Sequence, residues 1–367
     1  MSQKKLRFAI VGLEHNHCYN HASMLTQAGV EFAAYYSDKP EQAAEFARTY
    51  PDIPLAKSMA AILDDRTIDI VGGAPAPADR ARIAIEAMRH GKDVLADKPA
   101  VVSLDQLDEL ERVQRETGRI WAFYSNEHHD RRCTVRAGEL VAQGAIGRVV
   151  QTTGFGPHRL GALRRPSWFF RPSTSGGILG DIGAHQIEQF LAFTGSTSAE
   201  ITHAVTGNFA NPEHPEFEDY GEAALTGNGG AGWFRVDWYT PASLGVPGDI
   251  RLIILGTAGY IEARKYIDPA GRPGDGSGRP GTEHLLLVNE EGVRFIDLSG
   301  VALKFGARFV SDVRNRTETA VPQARSFLTV RLAMQVQAMA RRLPNADPPV
   351  TQGDLWSAAG PPSGGVR

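Results

Sequence analysis

Two short segments carry side chains whose types and spacing suit acid–base chemistry. Val94-Leu95-Ala96-Asp97-Lys98-Pro99 sets a lysine at the carboxyl end of an apolar run. An ammonium there is placed to orient and polarise a bound oxygen, or to take a proton itself if burial lowers its pKa. The second segment runs from Gly176-Gly177 through Asp181 and His185 to Leu191. At 100° per residue, Asp181, His185 and Glu188 share a helical stripe about 60° wide. Ile178, Leu179, Ile182, Ile187, Phe190 and Leu191 occupy much of the remaining circumference, so the helix is expected to be buried. A carboxylate and an imidazole in such a helix need partners. The pair reads either as a satisfied internal Asp–His contact or as an acid–base histidine held beside a carboxylate.

A third segment suits anion binding. The apolar run Leu6–Val11 ends at Gly12 and leads into Gly12-Leu13-Glu14-His15-Asn16-His17. A strand, a glycine turn and a helix start together hold a pyrophosphate on backbone N–H groups and the positive helix end. Of the usual G-x-G-x-x-G pattern only the first glycine is present. Glu14 stands where the backbone should approach phosphate most closely, and a carboxylate about 4 Å from a phosphate costs on the order of 4 kcal/mol at an effective dielectric near 20. Glu14 therefore points away, or the nucleotide sits differently, or none binds. His15, His17 and His21 have a spacing that suits metal ligation, hydrogen bonding to phosphate or substrate, or a plain structural role; no metal is assigned. Ser37 and Asp38 follow the second strand, where an acidic residue holds the ribose 2′-hydroxyl, while Lys39 beside them suits a 2′-phosphate. A turn or helix cap is the alternative for these residues, and the choice of NAD or NADP stays open.

The elements that must position these groups fall into two rhythms. Up to about residue 125, strand-like runs (6–11, 30–36, 68–71, 93–96, 120–124) alternate with helical spacings such as Ala81–His90 and Leu104–Val113. That order predicts a doubly wound parallel sheet with its ligand site beyond the carboxyl ends of the strands. After about residue 145, consecutive strand-like runs separated by turns such as Gly227-Asn228-Gly229-Gly230 predict a largely antiparallel sheet, with one strong helix over 178–194 and a closing helix over 322–342. A Pro/Gly-rich loop at 269–281 and a disordered end from 361 complete the reading. The expected divisions are a dinucleotide-binding domain (1–125), a substrate and oligomerisation domain (126–345) and a tail (346–367).

The 367 residues carry 39 Lys plus Arg and 42 Asp plus Glu, a net charge of −3 that leaves no general footprint for nucleic acid or an anionic membrane. Hydrophobic residues at 42% suffice for a sizeable core. No apolar run approaches the roughly 18 residues of a membrane span. Cys18 and Cys133 form no disulfide framework. The expectation is a soluble cytoplasmic protein.

Three segments in register resemble one family. Gly91-Lys92-Asp93-Val94-Leu95-Ala96-Asp97-Lys98-Pro99 is similar to the "GKHVLxEKP" segment of the glucose–fructose oxidoreductase, inositol dehydrogenase and rhizopine-catabolism (Gfo/Idh/MocA) family. Gly144-Ala145-Ile146-Gly147-Arg148-Val149 is similar to its "GxIGxI" entry into the second domain. Gly176-Gly177 through Asp181 and His185 is similar to its "GGxxxDxxxH" helix. The departures are Glu14 and His17 in the glycine turn, Asp97 where the family has Glu, and Asp79 where His is common after Ala74-Pro75.

The resemblance implies an N-terminal Rossmann domain, a C-terminal α/β domain with a broad, mostly antiparallel sheet, and a homodimer or homotetramer. It implies an NAD- or NADP-dependent oxidoreductase moving a hydride between nicotinamide and a hydroxyl or keto carbon of a sugar, cyclitol or related polyol. On that basis His185 is the expected base, Lys98 the polarising cation and Asp181 the holder of substrate or of His185. Gly12, Glu14, His15, Ser37, Asp38, Ala74, Pro75 and Lys98 are expected at the cofactor. Asn126, His128, His158 and Trp168, in loops, are expected at the substrate. Two alternatives use the same site: redox-neutral, NAD-dependent glycoside cleavage, and a non-catalytic nucleotide-binding regulator.

Overall fold

The computed structural model describes residues 5–268, 271 and 283–344. The expected loop at 269–281, except for Gly271, and the expected tail at 346–367 lie outside these residues.

The first half builds β1 (Arg7–Val11), α1 (His17–Gln27), β2 (Glu31–Tyr36), α2 (Pro40–Thr49), α3 (Met59–Asp64), β3 (Ile70–Gly72), α4 (Pro77–Arg89), β4 (Asp93–Ala96), α5 (Leu104–Thr117) and β5 (Trp121–Phe123). Its five strands are all parallel, in the order β2-β1-β3-β4-β5. The strands are short, and β1, β3, β4 and β5 are nearly all buried, as expected for a sheet covered on both faces, while the edge strand β2 is mostly half-buried. The β1 turn is shaped by two glycines. Gly12 has φ +83°, and a Cβ there would lie 2.4 Å from Pro75 Cβ. Gly73 has φ +146°, and its Cβ would lie 2.0 Å from the Val11 carbonyl oxygen. The loops after β1 and β3 are thereby pressed together, joined by Ala74 N–H donating to the Gly12 carbonyl (3.0 Å) and His15 N–H to that of Ala74 (3.0 Å).

The second half contains α6 (Asn126–His129), α7 (Arg132–Ala142), β6 (Val149–Pro157), α8 (Pro172–Ser175), α9 (Gly177–Asp181), α10 (Gly183–Thr194), β7 (Ala199–Gly207), β8 (Tyr220–Gly227), β9 (Ala231–Asp237), β10 (Arg251–Gly256), β11 (Gly259–Arg264), β12 (His284–Asn289), β13 (Gly292–Phe295), α11 (Phe305–Asn315), α12 (Gln323–Met339) and β14 (Arg341–Arg342). Its nine-stranded sheet runs β13-β12-β11-β10-β6-β9-β8-β7-β14. The sheet is mixed: β6 pairs with β9, and β7 with β14, in parallel, and the remaining pairs are antiparallel. The helix expected over 178–194 is two helices meeting at Ile182, where the His185 N–H reaches back only to the Ile182 carbonyl (3.2 Å) and tightens the turn. Asn126–His129, expected as loop, is a helical turn.

The chain then returns to the first sheet. Phe305, Phe309, Val310 and Val313 of α11 join the core that holds Phe8, Ile10, Leu25 and Leu95. Arg316 donates to both carboxylate oxygens of Asp93 (2.8 and 3.0 Å), and the Gln323 side chain bonds both the N–H and the carbonyl of Trp121 (3.0 and 3.1 Å). These contacts fix the two sheets relative to each other and so define the cleft between them.

Candidate active site at the carboxyl edge of the parallel sheet

Lys98 follows β4 directly, and its ammonium lies 2.7 Å from Asp181 Oδ1 at the end of α9. Both are largely withdrawn from solvent, with side-chain exposures of 7% and 14%. Burial alone would raise the Asp181 pKa, but Lys98 and then Arg165 and Arg80 hold it below the usual carboxylate range. Asp181 thus pairs with Lys98. His185, one turn further, is buried and faces Ser125, whose Oγ lies 2.8 Å from Nδ1. Burial lowers the His185 pKa to about 3 against the opposing pull of Glu127, so the imidazole is neutral at physiological pH.

Asp97 anchors the loop around Lys98. Its Oδ1 lies 2.6 Å from His17 Nδ1 and its Oδ2 3.0 Å from Arg80 Nη2. Burial would raise its pKa, yet His17 and Arg80 hold it well below the ordinary value. Arg80 also donates to the carbonyls of Pro75 (2.8 Å), Lys98 and Pro99 (3.1 Å). One guanidinium therefore ties the loops after β3 and β4 together. Removing one partner of a buried pair leaves an uncompensated charge, so Arg80→Met should cost about 3–5 kcal/mol in urea unfolding. A loss below about 1 kcal/mol would contradict this structural role.

A second buried network lies behind His185. Glu127 Oε2 accepts from Lys265 Nζ (3.0 Å) and Gln186 Nε2 (3.0 Å), and its Oε1 lies 3.6 Å from His158 Nε2. Lys265 is fully buried, and its charge keeps Glu127 low against the upward push of burial. His158 Nδ1 lies 3.1 Å from the Gly156 carbonyl, which can only accept, so that nitrogen carries a proton.

The other expected residues are distributed around this core. Asn126 Nδ2 lies 3.5 Å from His17 Nε2, which brings it to the Asp97 cluster. His128 turns instead to Glu188, with Nδ1 2.7 Å from Oε2. Trp168 is half-buried, its ring 6.2 Å from that of Phe169. Ser37 Oγ accepts the Lys39 N–H (3.1 Å), as a turn residue does, and Asp38 pairs with Lys39 (3.1 Å) at the surface. His21 lies apart from His15 and His17: fully buried, its Nδ1 accepts the Gly73 N–H (3.1 Å). Burial lowers its pKa to about 4, from about 6.5 when unfolded. The unfolded chain therefore binds the proton first, and the stability this residue contributes is present above pH 6.5 and declines as pH falls toward 4. Between pH 8 and 5 this site should remove about 2 kcal/mol. His21→Gln should flatten that part of the stability profile; an unchanged slope would exclude His21 as its source.

Two groups could ligate a cation by proximity: His15, His17 and Asp97, and His128, His129 and Glu188, each with donor atoms within 4.8 Å of one another. In both, an arginine already approaches the carboxylate: Arg80 Nη2 at 3.0 Å from Asp97 and Arg325 Nε at 3.6 Å from Glu188. The charge a cation would need is already balanced.

The dinucleotide position can be tested on Glu14. Its carboxyl is half-buried, and Oε2 is buried without a hydrogen-bond partner among the described residues. Burial raises its pKa, aided by Asp38 and opposed by the backbone N–H groups of Glu14 and Leu13 and by Lys39. The carboxylate therefore rests on N–H groups of the turn that would receive a pyrophosphate. The turn fits an anion, provided that Glu14 swings out or takes a proton when a dinucleotide enters. Arg80, Glu127, Ser125, Gln186 and Lys265 are site residues that the sequence reading missed.

A parallel dinucleotide-type sheet whose carboxyl edge meets an Asp and a His from a mixed-sheet domain defines a two-domain protein of Rossmann class. Residues 6–125 match the family described as "Oxidoreductase family, NAD-binding Rossmann fold", and residues 134–262 match the "GFO/IDH/MocA C-terminal domain". A crystal structure of a protein from Erwinia carotovora atroseptica, provisionally named an oxidoreductase, is 43% identical, with 93% of this chain and 100% of that chain covered and a TM-score of 0.87. The chain belongs to the Gfo/Idh/MocA family. Levoglucosan dehydrogenase in complex with NADH and levoglucosan shares the fold at 18% identity (92% and 97% covered, TM-score 0.74). D-xylose dehydrogenase of Paenarthrobacter nicotinovorans is 28% identical over 149 residues, 38% of this chain and 37% of that protein. The chain spans about half the length of the curated relatives it matches.

Proposed function

We propose that the protein is an NAD-dependent dehydrogenase of a sugar or polyol. The observation that carries this reading is the Lys98–Asp181 pair (2.7 Å) at the carboxyl edge of the parallel sheet, with the neutral, buried His185 one helical turn from Asp181. A bound nicotinamide supplies the hydride acceptor that converts a carbinol to a ketone. This chain's residues manage the proton and the charge. The Lys98 ammonium, oriented by Asp181, polarises the substrate oxygen. The neutral His185 takes the hydroxyl proton at Nε2, while Ser125 holds Nδ1, and Glu127 stabilises the imidazolium that results. His17 and Asn126 meet beside Asp97, the neighbour of Lys98, which suits them to the cofactor, and His158 lies by Glu127, which suits it to a substrate hydroxyl.

NAD rather than NADP is supported by charge. Asp38 engages Lys39 and lies within electrostatic reach of Glu14, so a 2′-phosphate would meet two carboxylates. The open face of the nine-stranded sheet supports a homo-oligomer. It carries Phe155, Trp233 and Arg235, and a groove bordered by Phe155, Tyr239 and Leu244. A second copy of this chain would cover it. No helix among the described residues is long and apolar enough to cross a membrane, and the free, buried Cys18 and Cys133 suit a reducing cytoplasm.

The test is calorimetric titration of NAD(H) and NADP(H) into nucleotide-free protein, followed by a polyol screen read at the nicotinamide absorbance. NAD(H) should bind at least tenfold tighter than NADP(H). Binding of neither would overturn the dehydrogenase reading.

A further inference from the structure

Three cations around the catalytic cleft are each matched by a carboxylate. Lys98 pairs with Asp181 (2.7 Å), Arg80 with Asp97 (3.0 Å) and Lys265 with Glu127 (3.0 Å), all withdrawn from solvent. Arg165, in the loop after β6, has no carboxylate within ion-pair distance among the described residues. Its Nε donates to the Leu160 carbonyl (2.9 Å), and its guanidinium lies over Phe169 (4.3 Å to the ring centre) and beside Trp238 (5.2 Å). Phe169 and Trp238 border, with Asp181 and Glu218, one narrow pocket. The His158 ring meets Trp238 edge-on at 5.7 Å. Arg165 is thus stacked on two aromatic residues that border the Asp181 pocket, half-buried, and its terminal NH₂ groups make no hydrogen bond among the described residues. Burial lowers its pKa and Asp181 offsets part of that effect, as expected of a cation lacking a close counter-ion.

From this arrangement we infer that Arg165 is a carboxylate-binding residue of the substrate site, and that the substrate is a sugar acid, an aldonate or uronate, rather than a neutral sugar. The inference rests on the dehydrogenase reading for its site, not for its test. A guanidinium fork matches a planar carboxylate with two parallel hydrogen bonds, and aromatic stacking fixes the plane of the fork before the ligand arrives. Charge selects among anions. The three pairs cancel; Arg165 supplies a positive charge that a carboxylate neutralises, and Glu218, bordering the same pocket and bonded by the neutral Ile178 N–H and Gln337 amide, disfavours a more highly charged anion. A phosphate monoester, at about −1.5 to −2, would leave the pocket negative.

The test reads binding directly. D-gluconate, D-glucuronate, their neutral counterparts D-glucitol and D-glucose, and D-glucose 6-phosphate are titrated calorimetrically into the full-length protein, with and without NADH. At least one carboxylate should bind tenfold or more tightly than its neutral counterpart. Arg165→Gln should erase that margin while leaving NADH affinity unchanged, and Arg165→Lys should retain only part of it. Equal binding of acid and neutral sugars, preference for the phosphate ester, or an undiminished margin in Arg165→Gln would each overturn the inference. The wild-type comparison decides it even if the variant fails to fold. Absence of NADH binding would instead count against the dehydrogenase reading, because the carboxylate margin is measured without the cofactor as well.

Discussion

Lys98→Met should lower kcat by about 10²–10³-fold, the usual consequence of deleting a preorganised charge at a developing oxyanion. The expectation follows from the 2.7 Å contact with Asp181, which aims the ammonium and keeps it from wandering among its rotamers. The single variant leaves Asp181 buried without its cation, so Lys98→Met/Asp181→Asn is the necessary companion: it removes the stranded charge, should regain stability in urea, and should remain inactive. His185→Asn should lose about 10²–10⁴-fold through the proton-transfer step, while an amide at that position can still bond Ser125. The pH profile separates the two roles. His185, held near pKa 3 by burial, stays neutral and able to accept a proton from pH 8 down to pH 5, so kcat/KM for oxidation should show no His185 limb in that range. Near-normal turnover in Lys98→Met and His185→Asn, or an acidic limb near pH 6.5 that His185→Asn removes, would refute the assignment.

The parallel half of the fold was legible because its signals are local. Each strand is a short apolar run, β1 and β3 ending at glycine and β4 at Asp97, and β4 (Asp93–Ala96) coincides with the run read from sequence. The helix α11 was missed although Phe305, Phe309, Val310 and Val313 recur at helical spacing. No side chain caps its start at Lys304, and its apolar face is matched by elements distant in sequence: α1, the first sheet, and Tyr124 and His129 against Phe305. Tertiary packing, not local propensity, makes that helix. The break at Ile182 was equally hidden, because both halves continue one apolar pattern and only the His185–Ile182 hydrogen bond marks the join.

Within the candidate site, the motif residues were legible in the sequence and their supports were not. Lys98, Asp181 and His185 stand at recognisable spacings. Arg80, Glu127 and Lys265 are ordinary charged residues in composition, yet two of them carried a usable signal. Lys265 has the same strand parity as the fully buried Ile261 and Ala263, so period two already pointed it inward. Arg80 lies one helical turn from the buried Ala84, on the stripe that faces the sheet. A charged residue at a core position demands a buried partner, and following that demand leads to Asp97 and Glu127. His128 is the reverse case. Its position beside Asn126 suggested substrate, but the helical turn of α6 swings it to Glu188, one turn along α10 from His185.

Glu14→Gln should tighten NAD(H) binding about 10–100-fold, so the wild-type side chain acts as a built-in competitor for the pyrophosphate position. The carboxyl rests on N–H groups of its own turn, with one oxygen buried and unpartnered and with Asp38 adding to its repulsion of anions. A phosphate arriving within about 4 Å meets a repulsion on the order of 4 kcal/mol at an effective dielectric near 20, which side-chain rotation relieves only in part. Protonation removes the same charge, and the folded protein already raises this pKa, so protonation is easier here than in a free glutamate. The sign follows: wild-type affinity for NAD(H) should rise as pH falls from 8 to 5.5, because binding takes up a proton. The His15 and His17 rings pack edge-on at 4.1 Å in the same segment, and a charge on either would also favour phosphate. Glu14→Gln separates these sources, since it should lose the uptake due to the carboxyl and keep any due to the histidines. Calorimetry in two buffers of different ionisation enthalpy measures that proton directly. Equal affinity of wild type and Glu14→Gln at pH 7.5, with the same proton uptake in both, would show that Glu14 leaves the turn freely and that the nucleotide never meets its charge.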